Sequence, residues 1–171
     1  MYNALLILIF IFPALVIMGG VYDASTMKIP NWISITLAAA FVPVALLTGL
    51  GWAEIGISVG VGFAALVIGI ALFAFRVVGG GDAKLLAASC LWIGWPTVGM
   101  FVLYTALAGG LLSLLLIMAR KWVAFVPAAH MPGWFQRLME PKGDIPYGIA
   151  IAVGAVLAYP ASAIVALVSA Y

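Results

Sequence analysis

The sequence has few ionisable side chains. Only 7% of its 171 residues are charged, whereas ordinary soluble domains carry about 25%. So few ionised groups cannot cover the water-facing surface of a chain this size, which excludes a soluble globular domain and a disordered chain. The net charge of +2 provides no basic patch to neutralise phosphates, which argues against a nucleic-acid-binding protein.

Metal-ligating and redox-active side chains are equally scarce. Cys90 is the single cysteine and His130 the single histidine, so no intramolecular disulfide, cysteine-rich zinc site or histidine-based metal centre can form. The sequence also lacks a haem or iron–sulfur pattern. We expect no metal and no cofactor, and we interpret Cys90 as a small buried apolar residue.

Apolar residues dominate instead, at 67% of the chain. Because the hydrocarbon core of a bilayer is about 30 Å thick, a transmembrane helix needs about 20 of them. Six segments are candidates, namely residues 3–22, 32–50, 55–75, 85–95, 98–119 and 147–168. The predicted fold class is therefore all-α: a polytopic membrane protein with six transmembrane helices, the fourth of them short, in one domain over residues 1–171.

The basic residues decide whether the short fourth segment crosses the membrane. If all six segments cross, all seven Lys and Arg residues lie on one side. If the fourth does not cross, they divide almost evenly between the two sides. The excess of basic residues in cytoplasmic loops therefore favours six crossings, with both termini on the non-cytoplasmic side. The cytoplasmic connections are then residues 23–31, 76–84 and 120–146.

Two details of these elements are also predicted. Gly56 and Gly60 form a Gly-xxx-Gly pair in the third segment, which favours packing against another helix. Residues 134–139, in the longest connection, are either a short helix lying in the membrane interface or an irregular loop.

Two of the five carboxylates have unusual neighbours. Asp82 ends the run Gly79-Gly80-Gly81-Asp82, and Asp23 directly follows the first predicted helix. Taken alone, Asp82 is either a cap for the fourth helix after a glycine-rich turn or a buried functional group. Asp23 is likewise either an interfacial turn residue or a functional group.

The two aspartates are more informative as a pair. The predicted topology places both on the cytoplasmic face, at the ends of helices that can be neighbours. Two carboxylates brought close together cannot both ionise easily, so they share a proton. One then acts as a base on a water molecule and the other as an acid on a carbonyl oxygen. This is aspartic-protease chemistry, which needs neither a metal nor a nucleophilic side chain.

The residues around the pair resemble a known family. The run Gly79-Gly80-Gly81-Asp82 resembles the Gly-x-Gly-Asp signature of membrane aspartic peptidases. Together with Asp23, Ile29-Pro30-Asn31 and Pro146-Tyr147-Gly148, it makes the chain resemble the type IV prepilin peptidase family over essentially its whole length. The likeness is to the short members that accompany Flp/Tad pilus systems.

The resemblance implies an endopeptidase that removes the leader of prepilin or pseudopilin precursors at the cytoplasmic face of the bacterial inner membrane. Asp23 and Asp82 match the catalytic aspartates. The residues that the resemblance implies as shaping the site are Pro30, Asn31, Gly79, Gly80, Gly81, Lys84, Pro146, Tyr147 and Gly148. Long members also carry a methyltransferase domain with paired cysteines. Because this sequence has one cysteine, we expect peptidase activity without methyltransferase activity.

Several alternatives stay open at this point. Lys84 either tunes the acidity of Asp82, binds the substrate or anchors the helix at the interface. Asp144 is a third acid on the same face and a reserve candidate. A small transporter or channel subunit would favour carboxylates near the bilayer midplane and repeat symmetry, and the sequence shows neither. A non-enzymatic subunit of a secretion assembly is a further alternative.

Overall fold

The computed structural model describes residues 2–123, 131–141 and 143–170. All secondary structure in these ranges is helical, which confirms the all-α prediction. The helices are α1 (Tyr2–Thr26), α2 (Asn31–Leu47), α3 (Trp52–Ala74), α4 (Gly80–Ile93), α5 (Val98–Val123), α6 (Gly133–Leu138), α7 (Tyr147–Ala158) and α8 (Ala163–Ser169). A short 3₁₀ turn, Tyr159–Ala161, separates α7 from α8. His130 and part of the predicted 120–146 connection lie outside the described residues.

Three helices of the described residues are long and apolar enough to cross a membrane. These three are α3, α5 and the part of α1 from Ile7 to Thr26. The bent pair of α7 and α8 makes a fourth if the two act as one span. Helix α2 has 17 residues and α4 has 14, fewer than the about 20 that a span requires. The six crossings and the cytoplasmic position of the connecting loops therefore stay predictions.

Helix α1 extends further than predicted, and this changes the position of Asp23. The helix ends at Thr26, so Asp23 lies in its last turn and does not follow it. The Asp23 carbonyl oxygen accepts a hydrogen bond from the Met27 N–H at 2.8 Å, which closes that turn. The hydroxyl of Thr26 also donates to the Tyr22 carbonyl oxygen at 2.8 Å. Polar residues that suggested a loop therefore continue the helix by bonding to its own backbone.

Helix α4 begins earlier than predicted. Gly80 and Gly81 already belong to the helix and Gly79 is its N-cap, so the prediction of a glycine-rich turn ending at Asp82 is wrong for these two residues. The Ala83 N–H donates to the Gly79 carbonyl oxygen at 3.0 Å, as in the first turn of a helix. Asp82 consequently sits inside the first turn of α4.

The last predicted span is broken. A single helix over 147–168 was expected, but α7 and α8 meet at an angle of 46°. Pro160 lies in the intervening 3₁₀ turn, and proline cannot donate the backbone hydrogen bond that a continuous helix needs. Ser162 restarts the helix as the N-cap of α8, where its hydroxyl accepts from the Val165 N–H.

Helix α4 lies at the centre of the bundle, packed against α2, α3 and α7. It is buried nearly all round, which is typical of a core helix. Trp92 near its end is 1% exposed. The indole of Trp92 donates to the Leu37 carbonyl oxygen at 2.8 Å and stacks on Phe12 with the ring centroids 5.5 Å apart. Cys90 on the same helix is buried, as predicted.

Helix α3 packs on α4 through glycines other than those predicted. A Cβ added at Gly62 would lie 3.1 Å from the Leu91 Cβ, and one at Gly69 would lie 3.0 Å from the Ala83 Cβ. At Gly56 and Gly60, by contrast, no atom of the described residues lies within 4 Å of an added Cβ. The prediction that Gly56 and Gly60 pack against another helix is therefore wrong for this chain.

Candidate active site

Asp23 and Asp82 line the same cavity, although they lie far apart in the sequence. The cavity has a volume of about 940 Å³ and is walled by the end of α1, residues 73–79 before α4 and residues 143–147 before α7. Gly79 and Tyr147, which the sequence resemblance implied as shaping the site, also line it. The cavity therefore brings together the two carboxylates that the sequence analysis paired.

Asp23 is held by the start of α7. Its side chain is 6% exposed, and its Oδ2 accepts the backbone N–H of Gly148 at 2.7 Å. The first N–H groups of a helix lack partners within the helix, and the N-cap residue of α7 is Pro146, whose side chain makes no capping bond. Asp23 supplies that cap from another helix, which gives the Pro146-Tyr147-Gly148 motif a structural role.

Ile29 connects the two aspartate-bearing segments. A Cβ added at Gly148 would lie 2.8 Å from the Asp23 Cβ and 3.0 Å from the Ile29 Cδ1. A Cβ added at Gly81 would lie 3.1 Å from the Ile29 Cβ. Ile29 is buried, so it fills the space between the start of α7 and the start of α4. Both glycines are needed because larger residues would push the backbones away from Ile29.

Asp82 is the third residue of α4, where its carboxylate reaches back to the helix N-cap. The backbone N–H of Gly79 lies near this carboxylate and acts on its pKa. Burial raises the pKa of Asp82 and the nearby Asp23 carboxylate raises it further, to about 7, although the Gly79 N–H acts in the opposite direction. Near neutral pH, Asp82 therefore holds a proton part of the time.

The glycines before Asp82 have separate steric roles. A Cβ at Gly79 would lie 2.7 Å from the Asp82 Oδ2 and so displace the carboxylate. A Cβ at Gly80 would lie 3.3 Å from the Phe73 ring of α3. Together with Gly81 against Ile29, each glycine admits a different close neighbour.

Lys84 and Asn31 form a contact outside the cavity. The Lys84 Nζ donates to the Asn31 Oδ1 at 2.9 Å, and Pro30 is the N-cap of α2 beside them. Lys84 and Asn31 line a separate apolar groove of about 470 Å³ between α2, α3 and α4. Their contact ties the start of α2 to α4, so these residues support the site from outside it.

Arg120 holds Gly143 and Asp144, two residues that line the cavity, and the sequence analysis missed this role. Its guanidinium donates from Nε to the Leu138 carbonyl oxygen at 3.0 Å, from Nη1 to Gly143 at 2.9 Å and from Nη2 to Asp144 at 2.9 Å. Asp144, the reserve candidate, is thus part of this clamp and also lines the cavity. In the sequence, Arg120 had looked like one more basic residue at a membrane interface.

The three cavity aspartates do not make a metal site. Within the described ranges no group of three or more His, Cys, Asp or Glu side chains could hold a metal ion. The arrangement can place the carboxylates of Asp23 and Asp82 in one cavity beside a peptide bond and a water molecule.

Comparison with known proteins identifies the family. Residues 10–114, which include both Asp23 and Asp82, match the family model described as the type IV leader peptidase family. The chain belongs to this family, which confirms the resemblance drawn from the motifs. No solved structure gives a significant match to the chain.

Curated relatives agree with the family match. The chain is 31% identical over 130 residues to proteins named prepilin leader peptidase/N-methyltransferase from Aeromonas hydrophila and Aeromonas salmonicida. The alignment covers 68% of this chain and 43% of each relative. The chain thus spans less than half the length of these relatives.

The contacts of Gly148 predict the effect of a single methyl group. We expect Gly148→Ala to destabilise the protein by about 1–3 kcal/mol, the usual cost of overpacking, because the new Cβ meets Asp23 and Ile29 at 3.0 Å or less. The midpoint of thermal unfolding in detergent measures this. Gly110→Ala is the matched control, since an added Cβ there has no described atom within 4 Å. Equal midpoints for the two variants would contradict the packing.

The raised pKa of Asp82 predicts a pH-dependent stability. A carboxyl whose pKa is higher in the folded state destabilises the fold as pH rises from its ordinary value of 3.8 through about 7. We expect Asp82→Asn, which removes the charge and nearly keeps the shape of the side chain, to unfold a few degrees above the wild type at pH 8. At pH 4 the two should unfold at similar temperatures. An Asp82→Asn variant that is less stable at pH 8 would contradict the burial of an ionised group.

Proposed function

We propose that this protein is a membrane aspartic endopeptidase that removes the leader from prepilin-like precursors, with Asp23 and Asp82 as its catalytic pair. The observation that carries the proposal is the shared cavity, which receives Asp23 from α1 and Asp82 from α4. Family membership supports it, because the matched region contains both aspartates. The relatives' printed name supplies the leader peptidase activity and the prepilin substrate.

The proposed reaction needs one proton shared by the two carboxylates. The ionised carboxylate takes a proton from a water molecule, and the water oxygen attacks the carbonyl carbon of the scissile peptide bond. The protonated carboxyl gives its proton to the carbonyl oxygen. When the tetrahedral intermediate collapses, the C–N bond breaks and the leaving nitrogen takes a proton from the dyad. One hydroxyl of the intermediate returns a proton to the dyad as the C=O bond re-forms. The raised pKa of Asp82, about 7, supports a dyad that holds this proton near neutral pH.

The position of the cavity supports cleavage at the edge of the membrane. Asp23 lies in the last turn of the apolar helix α1, and Asp82 lies in the first turn of α4 before its buried part. A hydrophobic substrate segment can therefore stay in the bilayer while the chain beside it enters the cavity. We propose the cytoplasmic face of the bacterial inner membrane as the place of cleavage and a single membrane-embedded domain as the acting unit. The Flp-type precursors belong to the same proposal.

Replacing either aspartate by its amide tests the catalytic pair. We expect Asp23→Asn and Asp82→Asn each to lower leader removal by at least about a hundredfold, since a dyad missing one carboxyl can no longer supply both acid and base. Leader removal is followed by gel shift after co-expression with a Flp-type prepilin, and then with the purified proteins.

The control for this pair is Glu54→Gln. Glu54 lies in the first turn of α3 and accepts the Gly51 N–H at 3.2 Å, a bond that glutamine preserves. We expect this variant to cleave like the wild type. Full cleavage by either purified aspartate variant would exclude Asp23 and Asp82 as the catalytic pair.

The pH dependence of cleavage gives an independent test. Since the reaction needs one proton on the pair, activity should fall as pH rises above about 7, where Asp82 loses its proton. At low pH the remaining carboxylate becomes protonated, so the profile should be bell-shaped with two apparent pKa values that belong to the pair. A profile of kcat/KM against pH that shows one ionisation would count against a coupled dyad.

A further inference from the structure

Arg76 occupies a backbone position that favours glycine. Its φ angle is 58°, in the left-handed region. The end of α3 has the hydrogen bonds of a Schellman motif, with the Arg76 N–H donating to the Phe73 carbonyl oxygen and the Val77 N–H donating to the Leu72 carbonyl oxygen, each at 2.9 Å. Because a side chain with a Cβ is strained in this conformation, arginine is less favourable here than glycine. Local folding therefore does not account for an arginine at this position.

Arg76 is an exposed residue that lines the cavity of the two aspartates. Four of the described residues that line this cavity are charged. Arg76 is the cation, and Asp23, Asp82 and Asp144 are the acids. The Asp23 carboxylate is engaged by the N–H group of Gly148. Within residues 2–123, 131–141 and 143–170, no hydrogen-bond or ion-pair partner of the Arg76 guanidinium is found. Its donors are therefore available to a molecule that enters the cavity.

We propose that Arg76 forms a carboxylate subsite, which binds an acidic side chain of the peptide substrate close to the scissile bond. The planar guanidinium fork matches a carboxylate with two parallel hydrogen bonds. The inference rests on the proposed peptidase function and adds a substrate preference to it. A peptide whose acidic side chain binds Arg76 can lie in the cavity in one direction only. The other charged residues that line the cavity are acidic and would repel that side chain.

The test compares peptides that differ by one charge. Two sets of prepilin-like peptides carry either a single Glu or a single Gln at successive positions around the cleavage site. For each pair, kcat and KM are measured with the purified full-length protein in detergent. For wild type, we expect one position at which Glu lowers KM about five- to tenfold relative to Gln, as a charged hydrogen-bonded pair would. At that position we expect Arg76→Gly to bring the ratio of the two KM values close to one.

Two further variants separate substrate binding from other effects of the charge. Arg76→Glu should reverse the preference, so that a Lys peptide at the same position is cleaved better than the Glu peptide. Lys121→Gln removes an exposed cation from the end of α5, outside the cavity lining, and should keep the wild-type preference. Arg76→Gly should also unfold at a higher temperature than the wild type, because glycine relieves the left-handed strain.

The outcomes distinguish this inference from the function on which it rests. If the wild type cleaves the Glu and Gln peptides equally at every position, the subsite is wrong while the peptidase stands. If Arg76→Gly keeps the Glu preference, or if Lys121→Gln loses it as well, Arg76 acts at the membrane surface and the subsite is again wrong. If the wild type cleaves none of the peptides or full-length precursors, the proposed function itself fails.

Discussion

The hydrogen bond from the Gly148 N–H to Asp23 is the constraint on which the site depends. It joins the last turn of the first helix to the first turn of α7, 125 residues further along the chain. It satisfies two costly groups at once, a buried carboxylate and an uncapped helix start. The close approach continues along the helices, since a Cβ added at Gly20 would lie 3.1 Å from both the Gly148 carbonyl oxygen and the Ala152 Cβ. The position of Asp23 is therefore set by backbone packing rather than by a flexible loop.

The second aspartate depends on the depth of α4. Helix α4 is short and buried, and the Trp92 bond to the Leu37 carbonyl oxygen fixes its far end against α2. With that end fixed, its first turn and Asp82 reach the same level as the end of α1. Ile29 fills the space between the two segments and touches both Gly81 and Gly148. The close approach of Ile29 therefore explains why Gly81 and Gly148 carry no side chain.

The sequence predicted which carboxylates meet in the cavity better than it predicted the residues that support them. Asp23, Asp82 and the Pro146-Tyr147-Gly148 run were predicted because local composition and motif order identify them. The Arg120 clamp could not be predicted, since its acceptors are backbone carbonyls that any residue would offer. The packing glycines of α3 were missed for a related reason. Spacing selects Gly56 and Gly60, but the partner helix α4 lies on the face of Gly62 and Gly69.

Several features of the cavity lower the stability of the fold, and they are concentrated in one place. Asp82 is a carboxyl whose neutral form is favoured, and Met27 and Arg76 both have positive φ angles without being glycine. All three line the same cavity. Strained backbone and perturbed acids persist where the surrounding structure compensates for them, and they cluster at functional sites. Packing at Trp92 and Phe12 stabilises the core of the bundle, which leaves the cavity end free to hold groups that are unfavourable for folding.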